Sequence, residues 1–153
     1  MNTGTMTERN AESSPPLRAR MAGESAEKTR EMKIRLSTMW IFAVLNYIYC
    51  DILAVMGHVY GTPTTGFLLG ATVLMEIPML MVLLARYLPF KTNRWANVAA
   101  GLIMSAVEAA SIFVGRPPPF YLVFAAIEIA CTLLITWFAW TWKESQAVAI
   151  IGN

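Results

Sequence analysis

Four carboxyl side chains lie within otherwise apolar stretches of this sequence, and they are the residues best suited to chemistry: Asp51, Glu76, Glu108 and Glu128. No Lys or Arg lies within seven residues of any of them. A carboxylate at the centre of a bilayer costs on the order of 2.5 to 3.5 kcal/mol on insertion scales. We therefore expect these acids to be protonated, to share protons with one another, or to hold a cation or a small solute.

The stretches that carry these acids are long enough to cross a bilayer, which takes ~17 to 25 residues. The sequence predicts spans at about residues 36–59, 66–88, 95–115 and 120–142. Each is apolar almost all round, whereas the helices of a soluble bundle have a polar stripe. The composition, with 56 % hydrophobic and 14 % charged residues, also favours a membrane protein. The predicted fold is all-α, a membrane-embedded four-helix bundle.

Short connections join the predicted helices and carry residues that end helices, including Gly61, Pro63, Pro89 and Gly115. Such connections make consecutive helices antiparallel, which predicts an up-down-up-down order over residues 34–144. Residues 1–33 have the composition of a disordered, mildly basic tail, and residues 145–153 form a short second tail. A translation start at Met32 would remove most of the first tail.

The basic residues predict the orientation of the bundle. They concentrate before the first span and in the second connection, at Arg30, Lys33, Arg35, Arg86, Lys91 and Arg94. By the positive-inside rule both termini are cytoplasmic. The tryptophans then lie toward the cytoplasmic ends of the spans, where an interfacial aromatic belt is expected. No nucleic-acid-binding pattern is present, because membrane orientation explains the basic residues.

The four acids are predicted to lie at a common depth, within roughly 5 Å of one level at ~1.5 Å rise per residue. Each shares the most polar face of its helix with side chains that could support a site. These supporting residues are Tyr47, His58, Thr72, Ser105, Ser111, Tyr121 and Thr132. Pro78 should free a backbone carbonyl or kink the second helix, or it is a tolerated membrane proline. His58 is either a proton relay to the outer surface or an ordinary interfacial residue.

The leading functional hypothesis is proton-coupled binding or transport of a cation or small solute at the four acids, by a chain that would act as a homo-oligomer. The first alternative is an accessory or assembly protein in which protonated acids join helices. The second is a quinone-linked redox subunit using Tyr47, Tyr121 and the two cysteines, Cys50 and Cys131. No cofactor is predicted, a bound cation is compatible with the acids, and the metal question stays open.

An enzyme is the less favoured class. A di-iron bundle uses Glu-x-x-His pairs, but the residues three positions after the three glutamates are Met79, Ser111 and Cys131. No nucleophile and base pattern, phosphate loop or metal-binding spacing is present in the sequence. The two cysteines lie within spans, where buried structural thiols are commoner than a redox pair.

The tract "LLGATVLMEIPMLMVLLAR", the following "NRWAN" and the segment "FAAIEIACTLLITWFAWTW" resemble a family of small four-helix bacterial membrane proteins of unknown function. The resemblance covers about residues 32–142. It implies a multi-pass protein of the bacterial cytoplasmic membrane and brings no activity. A remoter resemblance to DoxX-like proteins rests on architecture alone. A short internal match between "LMEIPMLMVLL" and "AIEIACTLLIT" suggests two related hairpins.

Overall fold

The computed structural model describes residues 16–58, 63–113 and 117–143. Over these residues the chain is helical and has no β-strand. The helices are α1 (Leu17–Met56), α2 (Thr65–Tyr87), α3 (Phe90–Ser111) and α4 (Pro119–Thr141). The predicted all-α fold of four helices is confirmed, and each predicted span falls on one helix. Gly61, Gly115 and residues 145–153 lie outside the described residues, as do residues 1–15.

The first helix begins earlier than the sequence predicted. The chain divides into two units, and of the first the structure describes residues 16–30. This segment is helical from Leu17 onward, where a disordered tail was expected through residue 33. Ala, Glu, Arg, Lys and Met favour helix here. Lys28 pairs with Glu24 at 2.7 Å, one turn apart, and lowers the pKa of that carboxyl from its ordinary value.

The second unit, Glu31–Lys143, contains the bundle, and its contacts show that successive helices alternate in direction. Asn93, near the start of α3, donates to the Ala85 carbonyl near the end of α2 at 2.6 Å. Arg94 donates to the Trp140 carbonyl near the end of α4 at 2.8 Å. Ser37 of α1 donates to a carbonyl in the last third of α2 at 2.8 Å. The order is therefore up-down-up-down.

Helices α3 and α4 make the closest contact in the bundle. A Cβ atom on Gly101 would lie 2.9 Å from the Thr132 carbonyl oxygen and against the Thr136 side chain. One turn further on, the Ser105 and Thr132 hydroxyls are hydrogen bonded at 2.7 Å. The small residues Gly101 and Ser105 of α3 permit this close approach, because backbones come together only where no large side chain separates them.

Helix α3 differs from its neighbours in polarity. Of the helices in the described ranges, α1, α2 and α4 are long and apolar enough to cross a membrane, while α3 is not. The sequence predicted four such spans. The difference arises from polar side chains of α3 that are buried against other helices, namely Asn93, Asn97, Ser105 and Glu108. Protein atoms cover these groups, so α3 needs less apolar surface than a helix that faces lipid all round.

A buried amide network joins three helices at the end of the bundle near Arg94. Trp40 of α1 donates through its indole nitrogen to the Asn97 side-chain oxygen at 2.8 Å. The Asn97 amide donates to the Asn93 side-chain oxygen at 2.6 Å, and Asn93 in turn reaches Ala85 of α2. All three side chains have 0 % exposure. The network fixes α1 against α2 and α3.

Replacing Gly101 by alanine should lower stability by about 1 to 3 kcal/mol, because the added methyl overlaps atoms of α4. Gly70 is the matched control, since a Cβ there meets nothing within 4 Å. Gly70→Ala should be neutral or slightly stabilising in its helix. Thermal unfolding of the detergent-purified variants measures both effects. Equal unfolding temperatures would contradict the close α3 to α4 contact.

Asn97→Ala should cost about 1 to 3 kcal/mol, because it leaves the buried indole N–H of Trp40 without an acceptor. Asn46→Ala is the control, since the Asn46 amide bonds only to the Phe42 carbonyl of its own helix, at 2.9 Å. Its stability should stay within about 0.5 kcal/mol of the parent. The same thermal assay applies, with tryptophan fluorescence reporting on Trp40. A stable Asn97→Ala protein with unchanged fluorescence would contradict the network.

Candidate functional site

The centre of the candidate site is a pair of buried carboxyl groups. Glu108 of α3 is 8 % exposed and Glu128 of α4 is 1 % exposed. Their carboxyl groups lie close enough to interact with each other. Two ionised carboxylates have no hydrogen to donate, so a hydrogen bond between them requires a proton on at least one of them. The arrangement can hold one proton between two acids.

The close contact of α3 and α4 is what brings the two glutamates together. Gly101, Ser105 and Glu108 follow one another along one face of α3, three and four residues apart. Glu128 and Thr132 occupy the facing stripe of α4, with the Thr132 hydroxyl donating to the Glu128 carbonyl at 2.9 Å. The carboxyl pair thus continues the contact line that begins at Gly101.

Two polar atoms beside this pair have unused hydrogen-bonding capacity. Apart from the Glu108 carboxyl, Glu128 Oε1 has no partner in the described structure, and neither does the Tyr47 hydroxyl of α1. Tyr47 is 3 % exposed and lies near enough to interact electrostatically with both glutamates. An unsatisfied buried polar group costs about 1 to 3 kcal/mol. A water molecule or a small polar solute would satisfy these groups.

Ser111 and Tyr121 lie beside the carboxyl pair, and Ser111 also interacts with the Glu108 carboxyl. The Tyr121 hydroxyl donates to Ser111 Oγ at 2.8 Å, and Ser111 donates to the Glu108 backbone carbonyl at 2.6 Å. These bonds join the start of α4 to the end of α3. Both residues therefore position the glutamate-bearing turns.

Asp51 lies beside the pair on α1 with an exposed side chain. Its charge acts on both Glu108 and Glu128. It also lines a crevice of about 80 Å³ between α1 and α2, together with Tyr47 and Pro78. Helix α2 continues through Pro78 as a single helix. Tyr47 is thus shared between the crevice and the surroundings of the carboxyl pair.

The fourth predicted acid lies apart from the other three. Glu76 is exposed on α2 and makes no hydrogen bond or ion pair with a described residue. The crevice is instead lined by its neighbours Met75 and Met79, which lie about 100° and 60° away around the helix. Thr72, on the Glu76 stripe, is also exposed and bonds to the Leu68 carbonyl of its own helix at 2.9 Å.

His58 lies at the end of α1, and the two cysteines lie near enough to Glu128 to interact electrostatically with it. His58 is exposed just after α1, where its φ of 51° places it in the left-handed region. Cys50 and Cys131 are free, buried thiols. The Cys131 thiol donates to the Met39 carbonyl at 3.6 Å. No group of three or more His, Cys, Asp or Glu among the described residues is arranged to hold a metal ion.

Sequence analysis did not identify the crevice or the amide network. Met75 and Met79 carried no signal of this role, because nothing in an apolar helix indicates which of its sides leaves a gap. Asn93 and Asn97 did carry a signal. Two amides one helical turn apart in an apolar stretch lie on one face, and buried amides need partners.

The model of a family described as a family of unknown function, DUF6326, matches residues 24–149. No curated protein and no solved structure matches the chain.

Glu108→Leu should destabilise the protein by about 1 to 3 kcal/mol, because it leaves the buried Glu128 carboxyl without its partner. Glu108→Gln keeps a hydrogen-bonding partner and should cost less. Glu76→Leu is the matched control and should leave the unfolding temperature unchanged or higher, since Glu76 has no partner to lose. Thermal unfolding in detergent measures all three. Equal effects of leucine at positions 108 and 76 would argue against the pair.

Proposed function

Since the chain belongs to the family of unknown function DUF6326, we propose a function from its own residues: a multi-pass membrane protein that exchanges a proton for a small cationic or hydrogen-bonding solute at Glu108 and Glu128. The observation that carries this proposal is the proximity of two buried carboxyl groups on adjacent helices. A proton shared between them would form the hydrogen bond that joins the pair. Exchange requires that this proton can leave.

Charge balance explains why a solute would replace the proton. Loss of the shared proton leaves a second negative charge in a site with little water, where like charges repel strongly. A cation beside the pair restores the balance. The charge of Asp51 acts on the same pair and adds a counter-charge for the cation. One positive charge enters for each proton that leaves.

The proposal includes four membrane spans in the bacterial cytoplasmic membrane, with both termini cytoplasmic. Support comes from the basic end of the bundle, defined by Arg35, Arg86 and Arg94. Arg94 stacks over Trp140 at 5.8 Å, and Trp95 meets the same ring edge-on at 5.8 Å. Arginine and tryptophan in contact are typical of the membrane interface. Helix α3 would cross with its polar side chains covered by its neighbours.

A second candidate is an accessory protein in which the acids only join helices. The hydrogen bond between Ser105 and Thr132 favours this second function. It shows that polar side chains next to the glutamates join α3 to α4, and the glutamates could have the same role. Under this alternative the pair keeps its proton permanently. The two functions therefore differ in whether the proton exchanges with water as the pH changes.

Infrared spectroscopy tests the proposal through the carbonyl band of a protonated carboxyl group. The band should be present in the parent and in Glu76→Gln, and absent or reduced in Glu108→Gln and Glu128→Gln. It should disappear as the pH is raised from about 5 to about 9, and the unfolding temperature should fall with it, since two charges then face each other. Glu128→Gln should lose this pH dependence. A band that persists at every pH would favour the accessory role.

A further inference from the structure

The crevice between α1 and α2 brings a carboxyl group and apolar side chains to one place. Tyr47 and Asp51 line it from α1, and Met75, Pro78 and Met79 line it from α2. Because it lies between helices that we place in the membrane, it opens toward lipid. We infer that the crevice binds the ammonium group of a lipophilic primary amine that arrives from the bilayer.

The charge in the crevice has no counter-charge from the protein. Asp51 forms no hydrogen bond or ion pair with a described residue, and the ion pair present in those ranges joins Lys28 to Glu24, outside the bundle. A carboxylate at membrane depth is stabilised by a cation within a few ångströms. A cation dissolved in the lipid can reach this position without crossing the packed helices.

The donors of the cation and the size of the crevice specify the kind of cation. A primary ammonium group has three N–H donors and no acceptor, so it can donate to the oxygens of the Asp51 carboxylate. A quaternary ammonium group has no N–H to offer and is larger. Tyr47 lines the crevice beside Asp51, with its hydroxyl group buried.

The size and the apolar walls of the crevice indicate where the alkyl chain of the amine would lie. A volume of about 80 Å³ has room for a small headgroup and not for an alkyl chain. The chain must lie along the outside of the bundle, where Ile48 is 49 % exposed and Met79 is 51 % exposed. Methionine side chains are flexible and adapt to alkyl groups of varied shape.

This inference rests on the proposed function for its coupling step. An ammonium group bound at Asp51 places a positive charge near Glu108 and Glu128, whose charges already interact with that of Asp51. The added charge favours release of the shared proton from the pair. The amine and the proton would thus compete for one cluster of negative charge.

Methyl NMR of methionine-labelled protein in nanodiscs of neutral lipid tests the site directly. The probe is dodecylammonium, with dodecanol as its uncharged analogue and dodecyltrimethylammonium as its analogue without N–H groups. Dodecylammonium should shift the Met75 and Met79 signals, assigned with Met→Leu variants, in a saturable way. Asp51→Asn should weaken this binding about tenfold or more. Glu76→Gln, which alters an exposed acid outside the crevice, should bind as the parent does.

A second variant tests the crevice without changing Asp51, in case Asp51→Asn loses binding because the protein is destabilised. Ile48→Trp adds bulk at the crevice without changing charge, and it should also weaken binding of the amine. Parent-like affinity in Asp51→Asn, or equal saturable shifts with dodecanol, would overturn the inference. Equal binding of dodecyltrimethylammonium would overturn the assignment to a primary amine. A change of oligomeric state in Asp51→Asn with no amine response would identify a second copy of the chain as the occupant instead.

Glu128→Gln separates this inference from the proposed function. If that variant still binds dodecylammonium while the parent releases no proton on binding, amine binding in the crevice is supported and proton exchange at the glutamates is refuted. If the carboxyl band titrates as proposed but Asp51→Asn has no effect on the amine, the exchange stands and the crevice assignment fails.

Discussion

The contact between α3 and α4 at Gly101 is the constraint on which the rest of the structure depends. It leaves no space for a methyl group between the helices. This separation lets Ser105 reach Thr132, and it lets Glu108 reach Glu128 on the same line of contact. Hydrogen bonds lose most of their strength within a few tenths of an ångström beyond their normal length. A wider spacing at Gly101 would therefore separate the two carboxyl groups.

The position of α3 places its polar side chains against the other three helices. Its amides and its carboxyl group are buried against α1, α2 and α4, so the outer surface of the bundle can remain apolar. Asn97 bonds to Trp40 of α1, and Asn93 bonds to Ala85 of α2. Backbone and side-chain polar groups in a membrane must be satisfied within the protein. The other helices meet this requirement for α3 at nearly every turn.

Sequence reasoning predicted the helices well, because lengths of apolar residues translate directly into helices. It also placed Glu108 and Glu128 on the most polar faces of their helices. It did not find the separation of Glu76 from the other acids. The rotation of α2 is set by the packing of its buried residues Pro78, Met81 and Ala85, and apolar residues on all sides of a helix leave its rotation undetermined. The helix over residues 17–33 was missed because composition was given more weight than local helix propensity.

Met104 and Ile135, both with 0 % exposure, belong to the apolar core that the amide network and the carboxyl pair have in common. The hydroxyls near them bond to backbone carbonyls, Ser105 to Gly101 and Thr136 to Thr132. A hydroxyl has a single hydrogen, and a carbonyl oxygen cannot pass a proton onward. Ser105 also bonds to the Thr132 hydroxyl, but among the described residues no side-chain hydrogen bond continues from these two groups to Asn97 or Asn93. A proton on the glutamates would therefore have no hydrogen-bonded path, within the described part of the chain, to the basic end of the bundle.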